Sequence, residues 1–243
     1  MLLDEILASA FPAGHEVVRE QGLLRGHGTL GSGDRVALIG VEGRAAVGID
    51  EAMLLSGEVL QVIQRGNRQP ILVLIDSDSQ RMSKRDELLG LNEFLAHLAK
   101  CLIYADHAGH PTIGLLYGHT AAGAFIATAL ATRTLVALPG AEPAVMDLPS
   151  MSRVTKLPLE VLQEKAKSTP VFAPGLENLA QTGAVASVLD PTRPLDQQLQ
   201  ALLVPTQPDE SGDRRDRLGQ ERRGRPMAAD IAQRVYELAR HSS

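Results

Sequence analysis

The stretch TIGLLYGHTAAGAFIATALATRTLVAL, Thr112 to Leu138, decides how this chain folds. Thr112–Tyr117 is a short apolar run set off by Pro111 and Gly118, the pattern of a strand buried on both faces. Ala121–Ala131 reads as a small-residue helix and Thr134–Leu138 as a further strand. A crossover of this length is too long for a hairpin, so the two strands pair in parallel. Gly118–Phe125 occupies the turn from strand to helix. Small side chains there let another molecule approach the main chain, and the first N–H groups of a helix are unpaired donors at its positive end. Such a turn can hold an oxyanion. It also lets a helix pack closely on a sheet, and the local pattern leaves both readings open.

Outward from this unit the same alternation continues. Arg35–Val41 and Ile71–Ile75 are buried strands, the second broken by the polar run Asp76, Ser77, Asp78, Ser79. Between them a helix begins at Asp50 as N-cap and stops at Gly66, with Leu55, Val59, Val62 and Ile63 on one face. A long helix follows, with Leu88, Leu91, Leu95, Leu98 and Leu102 in steps of three and four, closed by His110 and Pro111. Later, Val145–Leu148 reads as a short strand, Pro158 as a helix start, Glu177–Gln181 as a helix and Ala184–Leu189 as a strand before Asp190 and Pro191. A helix over Leu195–Leu203 ends the packed body. Pro205–Pro226 is rich in Pro, Gly, Asp and Arg, which predicts a flexible linker. Ile231, Val235 and Leu238 restore helical periodicity near the end, predicting a short amphipathic helix. The expected organisation is an N-terminal segment over 1–34, one α/β domain over 35–204, a linker over 205–226 and a terminal helix over 227–243.

At 243 residues and 44% hydrophobic the chain can build a large core. With a formal net charge of −5 and scattered Lys and Arg, the main body carries no basic face for nucleic acid. Cys101, the single cysteine, rules out an intramolecular disulfide and a site built from several thiolates. It falls inside a helical pattern and reads as a buried small hydrophobe. Asp4 and Glu5 stand where a secretion signal needs positive charge, and no run approaches the ~20 apolar residues that span a bilayer. A cytoplasmic protein with no membrane partner is expected.

Gly26, Gly28 and Gly31 spell G-x-G-x-x-G, but they precede the first convincing strand, so a loop is expected there rather than a dinucleotide site. No P-loop pattern occurs. His97, His107 and His110 with Cys101 lack a recognised ligand spacing, and no metal site is expected. Asp76 and Asp78 read as turn residues at a strand end. His119, beside the small-residue turn, has two readings: a capping or surface residue, or a proton donor.

The segment His110–Leu138, with its Gly-x-x-x-x-Gly-Ala turn, resembles the crotonase superfamily, as does the later unit Leu179–Thr182, Gly183, Ala184, Val185 and the strand ending at Asp190 and Pro191. Within it, Ser79, Gln80, Arg81, Met82, Ser83, then Glu87, Leu88, Leu89, Gly90, and Gly118–Phe125 are most similar to the malonate decarboxylase gamma subunit, a biotin-independent member of the carboxyltransferase C-lobe type. The likeness covers about 30–203. It implies a crotonase-like β/α spiral forming a single lobe, paired with a homologous beta subunit, with the active site between lobes. It further implies a malonyl thioester carried on the phosphopantetheine-type arm of an acyl carrier protein, a transferase (alpha) subunit in the same complex, and no cofactor bound by this chain. The Gly-Gly pair that supplies oxyanion-binding amides in such lobes aligns with Ala122 and Gly123, alanine replacing the first glycine. His119 is then the candidate acid, with Gly118, Thr120 and Ala121 lining the substrate. Against this stand a non-catalytic stabilising subunit of the same complex and an acyl-CoA hydratase or isomerase, for which Asp147 is the only acid near the expected later strand. A serine protease of the related Clp fold finds no serine in the turn.

Overall fold

The structure, a computed structural model, describes residues 1–170, 173–203 and 213–241. They divide into two compact units, Met1–Val145 with Ser187–Pro205 and Met146–Ala186 with Thr206–Ser243. The strands are β1 (His15–Glu20), β2 (Leu23–Thr29), β3 (Arg35–Val47), β4 (Ile71–Gln80), β5 (Thr112–Leu116), β6 (His119–Ala121), β7 (Thr134–Ala137), β8 (Glu142–Ala144) and β9 (Ser187–Val188). The helices are α1 (Leu3–Ala10), α2 (Ile49–Gln64), α3 (Lys84–Leu88), α4 (Leu91–His107), α5 (Ala122–Thr128), α6 (Leu148–Thr155), α7 (Leu159–Ser168), α8 (Leu176–Gln181), α9 (Leu195–Leu203), α10 (Arg215–Glu221) and α11 (Ala228–His241).

The first unit holds all nine of these strands. Seven form one sheet in the order β1-β2-β3-β4-β5-β7-β9, and β6 and β8 form a second. β3, β4, β5, β7 and β9 run parallel, as the crossover lengths require. β5 is followed by β6 and β7 by β8, so successive repeats give one strand to each sheet. That arrangement is the β/α spiral. The core is aliphatic: Leu38, Leu72, Leu74 and Ile75 from the sheet meet Leu55, Leu98, Leu102 and Phe125 from the helices, all fully buried.

Several boundaries differ from the sequence reading. The 1–34 segment is built into the sheet, with β1 and β2 antiparallel to each other and β2 antiparallel to β3. Gly26 and Gly28 therefore lie in a strand and not in a loop. A Cβ at Gly28 would overlap the Phe11 ring, so the glycine seats an aromatic side chain on the strand and serves no nucleotide. α2 is capped by Gly48, not Asp50; Asp50 and Glu51 sit in its first turn, where acids complement the dipole. The long helix is broken after Leu88, and Gly90, left-handed at φ 84°, starts α4. Val145–Leu148 is not a strand: β8 lies just before it and α6 begins at Leu148.

The second unit contains α6, α7, α8, α10 and α11. Asp147 is the N-cap of α6 and accepts the Ser150 N–H at 2.6 Å. The expected linker over 205–226 is helical at α10, while its first part, through 212, lies outside the described residues. Arg222 donates to the carbonyls of Ala180, Val185 and Ala186 at 2.7, 2.8 and 2.7 Å, tying this segment to α8 and the residues after it. The terminal helix forms as α11.

Candidate active site

The polar run after Ile75 does not break β4; the strand continues to Gln80 because its polar groups find partners from the side. Asp76 Oδ2 accepts the Gly43 N–H at 3.1 Å and Oδ1 the His119 N–H at 3.0 Å. A Cβ at Gly118 would overlap the Asp76 carboxylate, so glycine is required for this approach. Ser77 and Thr120, both fully buried, share a hydrogen bond of 2.7 Å between hydroxyls. Gln80 Oε1 accepts the Gly123 N–H at 2.8 Å. Four bonds thus fasten the end of β4 to the neighbouring strand β3, to β6 and to the start of α5. Asp76, expected as a plain turn residue, is the joint between β3 and β6. Ser77 and Gln80, assigned no role from sequence, make the other two contacts.

Ala121 is extended at φ −143° and caps α5, whereas Ala122 is left-handed at φ 50°. That conformation costs a non-glycine residue ~1–2 kcal/mol, and it falls where the resembling lobes carry glycine. Gly118, His119, Ala121, Ala122 and Gly123 are half-buried and Thr120 is buried; the six expected site residues are consecutive and run through β6 into the start of α5. The Gly123 amide is not an empty donor, however: the Gln80 carboxamide fills its acceptor position.

His119, 22% exposed, stands between two carboxylates, with Nε2 3.9 Å from Asp78 Oδ1 and Nδ1 3.8 Å from Glu142 Oε2. The Nδ1 atom is buried and has no hydrogen-bond partner among the described residues. β6 pairs with β8 at this position, so the strand register itself sets Glu142 opposite His119. Nearby, burial, then the Asp76 and Glu42 carboxylates, push the Tyr117 hydroxyl far above its usual range, and it donates to the Val41 carbonyl at 3.4 Å. The arrangement brings together the Gly123 donor, occupied by Gln80, an imidazole flanked by two carboxylates without a hydrogen bond to either, and the buried hydroxyls of Ser77 and Thr120.

The remaining expected candidates fall elsewhere. Cys101 is buried beside His97, Sγ to Nε2 3.6 Å, and burial raises its thiol pKa. Buried His110 places Nδ1 2.9 Å from the Gln69 carbonyl. Among the described residues no group of three or more His, Cys, Asp or Glu could hold a metal, and no helix is long and apolar enough to cross a membrane.

Residues 43–239 match the model of the MdcE family, the malonate decarboxylase gamma subunit. The malonyl-S-ACP:biotin-protein carboxyltransferase MADD of Malonomonas rubra is 29% identical over 153 residues, 59% of this chain and 52% of the relative. The chain thus spans about half the length of that relative. Among solved structures, one from a Pseudomonas malonate decarboxylase hetero-tetramer in complex with coenzyme A is 23% identical with a TM-score of 0.79, covering 96% of this chain and 98% of that one. A Pseudomonas MdcD-MdcE hetero-dimer is 24% identical with a TM-score of 0.75, covering 98% and 99%. Transcarboxylase 12S is 19% identical with a TM-score of 0.66, covering 84% of this chain and 41% of that one. These likenesses place the chain in the crotonase-like carboxyltransferase fold.

Proposed function

We propose, for a chain that belongs to the malonate decarboxylase gamma subunit family, that it is one lobe of a two-lobed enzyme converting a malonyl thioester on an acyl carrier protein into the acetyl thioester and CO2. Its partners on this reading are the homologous beta subunit, the carrier with its phosphopantetheine-type arm, and the transferase (alpha) subunit. The chain itself holds no cofactor. In the reaction the bond from Cα to the carboxylate breaks, CO2 departs, and the electron pair moves into the thioester carbonyl to give an enolate. Protonation at Cα then yields the acetyl group. No nucleophile is needed, so the work of the protein is to stabilise the enolate, exclude water and deliver a proton.

The observation that carries this reading is the bond from the Gly123 N–H to the Gln80 oxygen at 2.8 Å. It supports the reading because the Gly123 N–H meets an acceptor oxygen at the distance an oxyanion requires. The oxygen of the developing enolate, more basic than a carboxamide, displaces Gln80 and takes the Gly123 donor, with Ala122 supplying the second amide. A donor in such a hole contributes about 2.7–4 kcal/mol to the transition state. His119, flanked by Asp78 and Glu142, gives its proton to Cα, and Gly118, Thr120 and Ala121 line the approach.

The same hydrogen bond favours a second reading, in which Gln80 stays in place and the chain is a stabilising subunit without catalytic groups. A hydratase or isomerase loses its one acid candidate, since Asp147 is occupied as a helix cap. CO2 release from malonyl carrier protein by the assembled complex tests the proposal. The chain alone is expected to be inert, and His119→Gln in the complex is expected to lose ~100-fold or more of turnover. Robust turnover by the single chain would overturn the two-lobed site, and an unaffected His119→Gln complex would remove His119 as the acid.

A further inference from the structure

At the end of the sheet away from the turn lies a cavity that the chemistry above does not use. It has a volume of 440 Å³ and belongs wholly to the first unit. Its wall includes Asp34 and Arg35 at the opening of β3, Asn67, Arg68 and Gln69 just before β4, and Gln200 of α9. Most of the ten-residue strand β4, ~20 Å or more, separates it from the Gly118–Gly123 turn. A guest here therefore does not touch the reacting thioester.

Two features of the wall point to such a guest. Gln69 is 6% exposed, and its Nε2 has no hydrogen-bond partner among the described residues. A buried donor left unpaired costs ~1–3 kcal/mol. The backbone fixes the residue in this position, for its N–H donates to Asn67 Oδ1 at 3.2 Å and its carbonyl accepts from His110 Nδ1 at 2.9 Å. Arg68 is the second feature. Its backbone is left-handed at φ 52°, which costs a non-glycine residue ~1–2 kcal/mol, and its guanidinium has no hydrogen bond or ion pair among the described residues. Arg35 adds a second guanidinium, which donates to His27 Nε2 at 2.8 Å. Asp34, the carboxylate in this wall, accepts instead from Ser32 and Gln200 at 2.8 and 3.1 Å.

We infer that this cavity binds a small carboxylic acid in its ionised form. A carboxylate is planar and takes two parallel N–H bonds from a guanidinium, which suits Arg68, and it accepts further bonds from a carboxamide such as that of Gln69. The last torsion of a glutamine is broad and twofold, so a turn of the Gln69 carboxamide brings Nε2 to the guest. The volume falls within the range of small-molecule sites. On this inference the guest satisfies the orphaned donor and the unpaired cation together.

Calorimetric titration of the full chain tests this, with acetate, succinate and inorganic phosphate as probes at one ionic strength held with chloride. It needs no partner subunit, so its result is independent of the decarboxylase reading. Wild type is expected to bind both carboxylates at a single site and phosphate more weakly. Arg68→Gly removes the guanidinium and relieves the left-handed backbone, and Gln69→Met removes the unpaired donor at similar volume. Without a probe both variants are expected to melt as high as wild type. Each is expected to weaken carboxylate binding ~10-fold or more. Absence of binding by either carboxylate overturns the inference. So does carboxylate binding that both variants retain, or that Gly123→Val abolishes instead, because the anion then sits at the turn. A Gln69→Met chain that melts lower with its carboxylate affinity unmoved would make Gln69 a packing residue and overturn its part in the site. Phosphate binding tighter than both carboxylates and lost in Arg68→Gly would overturn the carboxylate assignment.

Discussion

Replacing Asp76 with alanine removes the acceptor for two main-chain donors, the N–H of Gly43 at 3.1 Å and of His119 at 3.0 Å. Hydrogen bonds to an ionised group contribute ~1.5–3 kcal/mol each. Asp76 is half-buried, and water can reach the exposed Gly43 once the carboxylate is gone, so the lower end applies. The expected loss is ~3 kcal/mol for Asp76→Ala. Asp76→Asn keeps one acceptor oxygen but turns an NH2 group toward the other donor, and about half the loss is expected. Urea unfolding of the isolated chain at 25 °C, followed by circular dichroism, gives both values if the denaturant slope is unchanged. In the assembled complex the same variants are expected to lower turnover, because the His119 backbone is no longer anchored. An Asp76→Ala chain within about 0.5 kcal/mol of wild type, the range of an ordinary surface change, would refute the assignment of Asp76 as the joint between β3 and β6.

Ala122→Gly is expected to stabilise the chain by up to ~1 kcal/mol, since glycine adopts φ 50° without the alanine penalty; a lower melting temperature would contradict this. Asp147→Ala is expected to cost ~1 kcal/mol through loss of the α6 cap, read in the same unfolding experiment. Hydrogen bonding to Ser150, aided by the Arg153 charge, holds the Asp147 carboxyl below its ordinary value of 3.8. The cap is therefore fully effective above that value and is lost as pH falls through the lowered folded value. Asp147→Asn removes this dependence, and an acid-melting profile identical to wild type would show that the cap does not contribute.

The strands were legible where both faces are covered. Val36–Ile39, Ile71–Ile75 and Thr112–Leu116 are continuous apolar runs, and only a buried parallel strand needs such a run. β2 was hidden because Gly26 and Gly28 mimic a loop, and their reason, the close approach of the β1 backbone and of Phe11, appears only once β1 folds back on β2 as a hairpin. The extension of β4 was hidden because polar residues normally end a buried strand, and the partners that satisfy Asp76, Ser77 and Gln80 come from β6, α5 and β3 at Gly43. Residues 213–226 looked like a solvated charged stretch. Arg222, however, is spent on three backbone carbonyls, and Gly219 and Gly224 are buried against Gln181 and Thr182. The turn at Gly118–Gly123 was legible as a place for close approach to the main chain. That Gln80 would occupy its donor was not, because a side-chain hydrogen bond across 43 residues leaves no periodic trace.

The central claim is that the Gly123 amide serves the reacting thioester, and substitution at Gly123 tests it most directly. A Cβ there would lie 3.1 Å from both Gln80 Oε1 and Leu95 Cδ1, so Gly123→Ala fits with a small adjustment while Gly123→Val crowds the acceptor seat itself. Steady-state CO2 release from malonyl carrier protein by the assembled complex is measured for both, with gel filtration confirming assembly. The account predicts a mild effect for Gly123→Ala and a loss of ~100 to 1000-fold for Gly123→Val in an intact complex. Normal turnover by an assembled Gly123→Val complex would contradict it and leave this chain as a scaffold.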